Sequence, residues 1–250
     1  MTMLSVAVKL PSEPTGKPPV IFVHGAGTSA PVWTYWQAAF VEAGWPTYNL
    51  DLRGHRQSGT VYLTQVGIFD YVDDVNAVAR QFGVPPVVIG WSMGGHIAVI
   101  AASRGGYSAC VAIDPDPPVD RVDESVEMEY GLQTPEDIGY TLDGDPRLLP
   151  HMPDLTTEER RIAQSSLCDE SLLMRSQRMR GILIERMPCP MLEIIGGLND
   201  YYPTEPSYHG VGLAGDQVYV ADSSHWGLVL SRRVLAMLLP QVLTWLDNNV

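Results

Sequence analysis

Ser92 stands in Gly90-Trp91-Ser92-Met93-Gly94-Gly95, directly after the apolar run Val87-Val88-Ile89 and before a helical pattern, Gly94 to Ser103. A serine at a tight strand-to-helix turn needs small neighbours, because the backbone folds sharply and the side chain projects outward. Gly90 and Gly94 supply them. The helix that follows points its first amides at the serine, which favours developing negative charge. That setting suits a nucleophile attacking a carbonyl. A serine hydroxyl alone is a poor nucleophile and needs a base held by an acid. His225, in Asp222-Ser223-Ser224-His225-Trp226-Gly227, follows the last strand pattern, which ends near Val220, and is the candidate base. The candidate acid is Asp200, in Gly196-Gly197-Leu198-Asn199-Asp200, just past the strand pattern ending at Ile195. The chain order Ser…Asp…His for this motif selects it. Asp114 and Asp116 follow another strand, Cys110 to Ile113, and are alternatives, although Asp-Pro-Asp-Pro-Pro is also strong turn chemistry.

His24-Gly25-Ala26-Gly27 follows the apolar run Val20 to Val23. Small residues there let the main chain approach a bound carbonyl. The backbone N–H groups of Ala26 and Met93 are the candidate oxyanion donors, each worth about 3 kcal/mol in the transition state. Trp33, Trp91, Tyr201 and Trp226, with Tyr202 beside Asp200, flank these positions. They are candidate lining for an apolar acyl pocket and would serve equally as core packing. Met128, Met152, Met174 and Met179 would act as pocket roof or buried filler. The six histidines form no H-x-x-x-H pair and none lies near a cysteine pair, so no metal site is expected.

These residues need a scaffold, and the hydrophobic pattern describes one. Leu4, Val6, Val8 and Leu10 alternate as an opening strand; Pro19 to Val23, Thr47 to Leu50, Val87 to Ile89 and Cys110 to Ile113 read as further strands. Trp33 to Ala43, Ile68 to Phe82 and Gly94 to Ser103 have helical spacing between them. This βαβα rhythm predicts a doubly wound α/β domain with a mostly parallel sheet. From Pro115 to Arg186 no strand run is expected, only short helical stretches separated by Pro, Gly and Asp. Strands resume at Pro190 to Ile195 and Gln217 to Val220, and a C-terminal helical region follows, with Pro240 starting or kinking its last part. The expected organisation is therefore a core of residues 1–114 and 187–250 with a helical insertion at 115–186.

Composition sets the outer limits. At 250 residues the chain can bury roughly 70–75 % of its unfolded surface, enough for a core without disulfides or metal. Hydrophobic residues are 45 % and charged residues 18 %, which excludes a disordered chain. The densest apolar run, Val234 to Leu246, is interrupted by Pro240, Gln241 and Thr244 and is too short for a bilayer. The net charge of −13 repels phosphate backbones and anionic lipid, so a small molecule is expected as partner, rather than nucleic acid or membrane. Residues 114–159 hold fourteen acidic side chains against Arg121 and Arg147, and residues 160–190 hold six arginines against three acids. The insertion is thus expected either to present a solvated acidic surface or to be held by charge contacts between its halves. Cys110, Cys168 and Cys189 form no CxxC pair, and no basic leader precedes the first apolar residues; both point to a cytoplasmic setting.

Taken together, the His-Gly loop, the segment Asp51-Leu52-Arg53-Gly54-His55-Arg56-Gln57-Ser58 and the Gly-x-Ser-x-Gly-Gly turn resemble the α/β-hydrolase superfamily. The resemblance covers most of the chain outside Pro115 to Arg186 and is closest to its small, cofactor-free serine hydrolases. The usual family form has Gly where this chain has Arg56. The family uses that middle segment structurally, and the insertion resembles the cap placed over such active sites. The resemblance implies acyl transfer by Ser92, with His225 as base and then acid, on a small, mostly apolar ester, lactone or thioester. Epoxide hydrolases and haloalkane dehalogenases of this fold have Asp at the Ser92 position, which speaks against those reactions. Two other readings use the same residues: lyase or elimination chemistry with histidine as base, and a non-catalytic binding protein on the scaffold.

Overall fold

The computed structural model describes residues 3–59, 61–201 and 206–250. Its framework is a sheet built from β1 (Ser5–Lys9), β2 (Val20–Val23), β3 (Thr47–Asp51), β4 (Val87–Trp91), β5 (Ala109–Ile113), β8 (Met191–Gly196) and β9 (Asp216–Val220). The remaining strands, β6 (Leu132–Gln133) and β7 (Glu170–Ser171), form a separate two-stranded antiparallel pair. The seven-stranded order is β1-β3-β2-β4-β5-β8-β9, parallel throughout except for β1, which runs antiparallel to β3.

Continuous apolar strands require cover on both faces, and alternation of side chains assigns each residue to one of them. Val20, Phe22, Val87 and Ile89 face α1 (Thr34–Glu42), α6 (Gly227–Leu230) and α7 (Arg232–Asn249). Ile21, Val23 and Val88 face α2 (Ile68–Ala79) and α3 (Met93–Ser103). The two cores are thus separated by one layer of sheet, and β2, β4 and β5 are buried on both sides, whereas the edge strand β9 is largely exposed.

Three details differ from the sequence pattern. The first helix begins at Thr34, after a 3-10 turn over Ala30–Trp33. The segment between β5 and β8 holds α4 (Thr157–Ser166) and α5 (Leu172–Arg180) as expected, but also β6 and β7, which at two residues each are too short to show a period. Helix α7 runs through Pro240 without stopping. Its stripe Val234, Leu235, Leu238, Val242 and Leu246 is buried on both sides of the proline, and this packing outweighs the roughly 3 kcal/mol cost of an interior proline. Among the described residues no helix is long and apolar enough to cross a membrane.

Candidate active site

Ser92 sits between β4 and α3 with φ 56° and ψ −126°, a left-handed backbone that a non-glycine residue adopts only at a cost of about 1–3 kcal/mol. The surroundings force it. A Cβ on Gly90 would lie 1.9 Å from the Gly94 carbonyl oxygen, and one on Gly94 would lie 2.2 Å from the Val23 carbonyl oxygen. Strand, turn and helix therefore pack backbone against backbone at the two positions the motif reserves for glycine. The Ser92 N–H donates to the Ile113 carbonyl at 2.8 Å, tying the turn to the end of β5. The serine opens on a cavity of about 590 Å³ whose wall also includes Ala26 and His225.

His225 lies in the loop after β9 and is 4 % exposed. Its Nδ1 donates to Asp114 Oδ2 at 2.9 Å. Asp114, 1 % exposed at the end of β5, also accepts from the Gly196 N–H on Oδ1 at 2.8 Å. With Nδ1 committed to the carboxylate, Nε2 is left as the ring's proton acceptor. The indole N–H of Trp91 donates to the His225 carbonyl at 3.1 Å and its ring packs 4.8 Å from the imidazole. Ser224, the preceding residue, donates through its N–H to Asp154 Oδ2 at 3.1 Å, and its hydroxyl donates to the other oxygen of the same carboxylate.

This geometry corrects the choice of acid made from chain order. Asp200 does not hold His225; it is an exposed residue whose Oδ2 accepts from His151 Nδ1 at 2.7 Å. The reason is positional. β5 lies between β4, which carries Ser92, and β8, so the residue leaving β5 is delivered directly beneath the imidazole. The loop after β8 instead meets the 115–186 segment. Asp116, the other alternative, is engaged by the Arg178 guanidinium through Nε and, at 2.5 Å, a terminal nitrogen. Asp114 was legible as a carboxylate directly after a strand, but nothing in the sequence ranked that strand as the neighbour of the serine strand.

Ala26 lines the cavity with Ser92, and Met93 follows Ser92 in the chain. Met93 is the first residue of α3, so its N–H has no partner inside the helix. Among the described residues the Ala26 N–H donates to no protein acceptor, whereas the next amide, Gly27, donates to Glu170 Oε2 at 3.1 Å. Behind this loop two buried histidine rings pack 4.9 Å apart, tilted by 53°, with different hydrogen-bond partners. His24 Nδ1 donates to the Gly25 carbonyl, and its Nε2 accepts from the Leu52 N–H, which fixes a neutral tautomer. Burial, helped by the neighbouring His55, pulls its pKa down to about 3. His55 faces two oxygens, the Arg53 carbonyl at 3.1 Å and Glu170 Oε2 at 3.2 Å, so both ring nitrogens carry protons. Burial opposes that charge, but the Glu170 carboxylate outweighs it and raises the His55 pKa. Glu170 and Asp154 are residues the sequence reading did not single out, and no spacing marks them; His55 lies in the Asp51–Ser58 segment, read there as structural.

Of the candidate pocket residues, Trp91, Tyr201 and Trp226 line the cavity. Tyr201 packs 4.9 Å from His225, and Trp226 donates its indole N–H to Tyr140 Oη at 2.9 Å. Trp33 does not line it: fully buried, it packs 4.9 Å from Phe22 under the sheet, because the 3-10 turn before α1 directs it into the core. Met174 and Met179 contribute to the wall, Met152 packs in the core, and the Met128 sulfur accepts from Ser176. Tyr202 lies outside the described residues. Among the described residues no group of three or more His, Cys, Asp or Glu side chains is arranged to hold a metal ion.

Comparison with known proteins bears on the fold. Similar solved structures include a thioesterase domain from the curacin biosynthetic pathway, at 14 % identity over 96 % of this chain and 95 % of that one, with TM-score 0.69. A monoacylglycerol lipase from Paleococcus ferrophilus shares 14 % identity over 99 % of each chain, with TM-score 0.70. An enol-lactonase from Burkholderia xenovorans LB400 shares 17 % identity over 97 % of each chain, with TM-score 0.69. At such identities the likeness is one of fold. Among curated proteins none matches the sequence. A family model, however, matches residues 20–237, and with that span, the parallel sheet and the serine turn, the chain belongs to the alpha/beta hydrolase family.

Proposed function

We propose that this protein is a serine hydrolase that cleaves a small, mostly apolar carboxylic ester, lactone or thioester through an acyl-enzyme. The observation that carries the reading is the buried His225–Asp114 contact of 2.9 Å, opening on the same cavity as a serine held at positive φ. In this reading Ser92 Oγ attacks the carbonyl carbon while its proton passes to His225 Nε2. Asp114 keeps the imidazole oriented and stabilises the imidazolium. The carbonyl oxygen, now anionic, takes hydrogen bonds from the Ala26 and Met93 amides. Collapse of the tetrahedral intermediate expels the alcohol or thiol with the proton from His225. A water molecule, deprotonated by His225, then attacks the acyl-enzyme and releases the acid and free Ser92.

The substrate class follows from the wall of the cavity. Trp91, Trp226, Tyr140 and Met174 make it chiefly apolar, and its volume suits a small ligand. The thioesterase, lipase and lactonase among the similar structures are compatible with each of the three substrate types. In this reading residues 115–186 act as the cap, since Tyr140, Met174 and Arg178 from this stretch line the same cavity as Ser92.

The test is kinetic and chemical. Ser92→Ala is expected to lower turnover of a p-nitrophenyl ester by ~10⁴-fold or more, with a fluorophosphonate labelling the wild-type serine. Turnover without labelling would move the reading to base chemistry by His225, and unchanged turnover in Ser92→Ala would refute it.

A further inference from the structure

Glu170 takes no part in the acyl transfer described above, yet its carboxylate sits one residue from a proposed oxyanion donor. It is 2 % exposed and belongs to β7, within the cap. Four donors surround it. Oε2 accepts from the Gly27 N–H at 3.1 Å and from His55 Nε2 at 3.2 Å; Oε1 accepts from the Tyr71 hydroxyl at 2.6 Å and the Ser171 N–H at 2.8 Å. Burial alone would raise its pKa, but the His55 charge and these hydrogen bonds bring it down to about 2. The same stretch of cap holds the rest of the loop: the Cys168 N–H donates to the Gly27 carbonyl at 2.9 Å, and the Ser29 hydroxyl donates to the Ser166 carbonyl at 2.9 Å.

A cap that needed only to be fastened down would not require a buried ion pair, which is costly to desolvate. What this pair does is fix a peptide plane. The Gly27 N–H belongs to the rigid Ala26–Gly27 peptide unit, so anchoring it fixes one side of Ala26, whose own N–H is the proposed donor. Gly27 itself, with its N–H committed to Glu170, is not available to an oxyanion. On the other side of the cavity a second cap carboxylate, Asp154, holds the N–H and hydroxyl of Ser224 beside the base.

We propose that Glu170 is a positioning residue for the reaction: braced by His55 and Tyr71, its carboxylate sets the Ala26–Gly27 peptide and with it the oxyanion donor, so that the cap assembles the site it covers. This rests on the acyl-transfer reading given above. Once the cap is docked, the donor geometry is preset; when the cap lifts, the Gly27 anchor leaves with it.

The experiment compares wild type with Glu170→Gln, which removes the negative charge facing His55 and leaves one acceptor oxygen for the four donors that two oxygens serve in the wild type. Removing one oxyanion donor costs about 10²–10³ in kcat, so loosening one is expected to lower kcat by about 10–100-fold. KM should change by less than about threefold, because the ground-state carbonyl gains little from the donor. Affinity for an alkylboronic acid, whose serine adduct is a tetrahedral anion, should weaken by the same factor as kcat. A merely structural role would lower the melting temperature but leave kcat and boronate affinity of the folded protein unchanged, and that result would overturn the proposal. If Glu170→Gln does not fold, His55→Gln carries the test, since it keeps an N–H donor but removes the charge behind the carboxylate. The same split is expected there, and its absence overturns the proposal equally. Fluorophosphonate labelling of wild-type Ser92 separates the two levels: without labelling the acyl-transfer reading fails, whereas labelling with an unaffected kcat in the variant rejects the role of Glu170 alone.

Discussion

Two aspartates of similar sequence context have opposite environments. Asp114 is buried and accepts from His225 and from the Gly196 amide, whereas Asp200 is exposed and accepts from His151. Asp114→Asn is therefore expected to lower kcat by about 10⁴-fold, the effect of losing the residue that orients the base. Asp200→Asn should leave kcat within about tenfold, because an exposed ion pair is worth about 1 kcal/mol or less. Steady-state kinetics of the two variants on one ester decides, and the reverse pattern would return the role to Asp200. Ser92 and the Ala26 and Met93 amides were legible as candidates because they lie in or beside glycine-rich turns, and His225 because it follows the last strand pattern. The carboxylate that meets His225 was not, because it depends on which strand end lies beside the imidazole, a matter of sheet order. Arg56 is a smaller case of the same kind: where the family form has glycine, this chain keeps φ at 43°, the backbone a glycine would adopt.

At the scale of elements, the core strands and helices appear where the apolar pattern puts them, since parallel strands buried on both faces must be continuously hydrophobic. The stretch 115–186 is less readable. Its only strands, among the described residues, are two residues long, and its other structure is short 3-10 turns and the polar helices α4 and α5. Trp33 shows the limit of reading aromatic residues by proximity to a motif: it lies under the sheet rather than in the cavity. Trp33→Ala is accordingly expected to destabilise the fold by about 3–5 kcal/mol, as loss of a large buried ring does. KM of the molecules that remain folded should not change. Urea melts beside ester kinetics test this, and a raised KM at near-normal stability would return Trp33 to the substrate pocket.

For the whole molecule, the buried histidines set how stability follows pH. His24 and His96 are buried and neutral, held down to about 3 and about 4 chiefly by desolvation. Each binds its proton more readily when unfolded, so stability falls as pH drops below 6.5, with a slope approaching two protons per molecule. His55 has the opposite sign. Its folded pKa is raised, so its contribution is complete below 6.5 and is lost as pH rises through the folded value. The Glu170 contribution is present above the ordinary glutamate value of 4.5 and is lost as pH falls toward about 2. Stability is therefore expected to peak close to pH 6.5, measured by denaturant melts across pH 5 to 9. A monotonic profile over that range would contradict the assignment of His55 as charged. Among the described residues the acidic stretch 114–159 forms ion pairs with the arginines of 160–190 in Arg178–Asp116 and in Arg180–Glu124, the latter at 3.6 Å. Only the first of these is well shielded from water, at 13 % and 12 % side-chain exposure, and so least screened by salt.

By itself the sequence determined the architecture, the serine turn and the histidine that follows the last strand. These rest on local rules: the alternation of apolar residues along a strand, and the absence of room for a Cβ at Gly90 and Gly94. Only the tertiary structure decided which carboxylate meets His225, which aromatic rings reach the cavity, and that Glu170 holds the Gly27 amide beside Ala26. Those contacts span 111 residues between Asp114 and His225, and 143 between Gly27 and Glu170. Hydrogen bonds between residues so far apart leave no period or spacing in the chain, since they are set by the order of strands in the sheet and the docking of one segment on another.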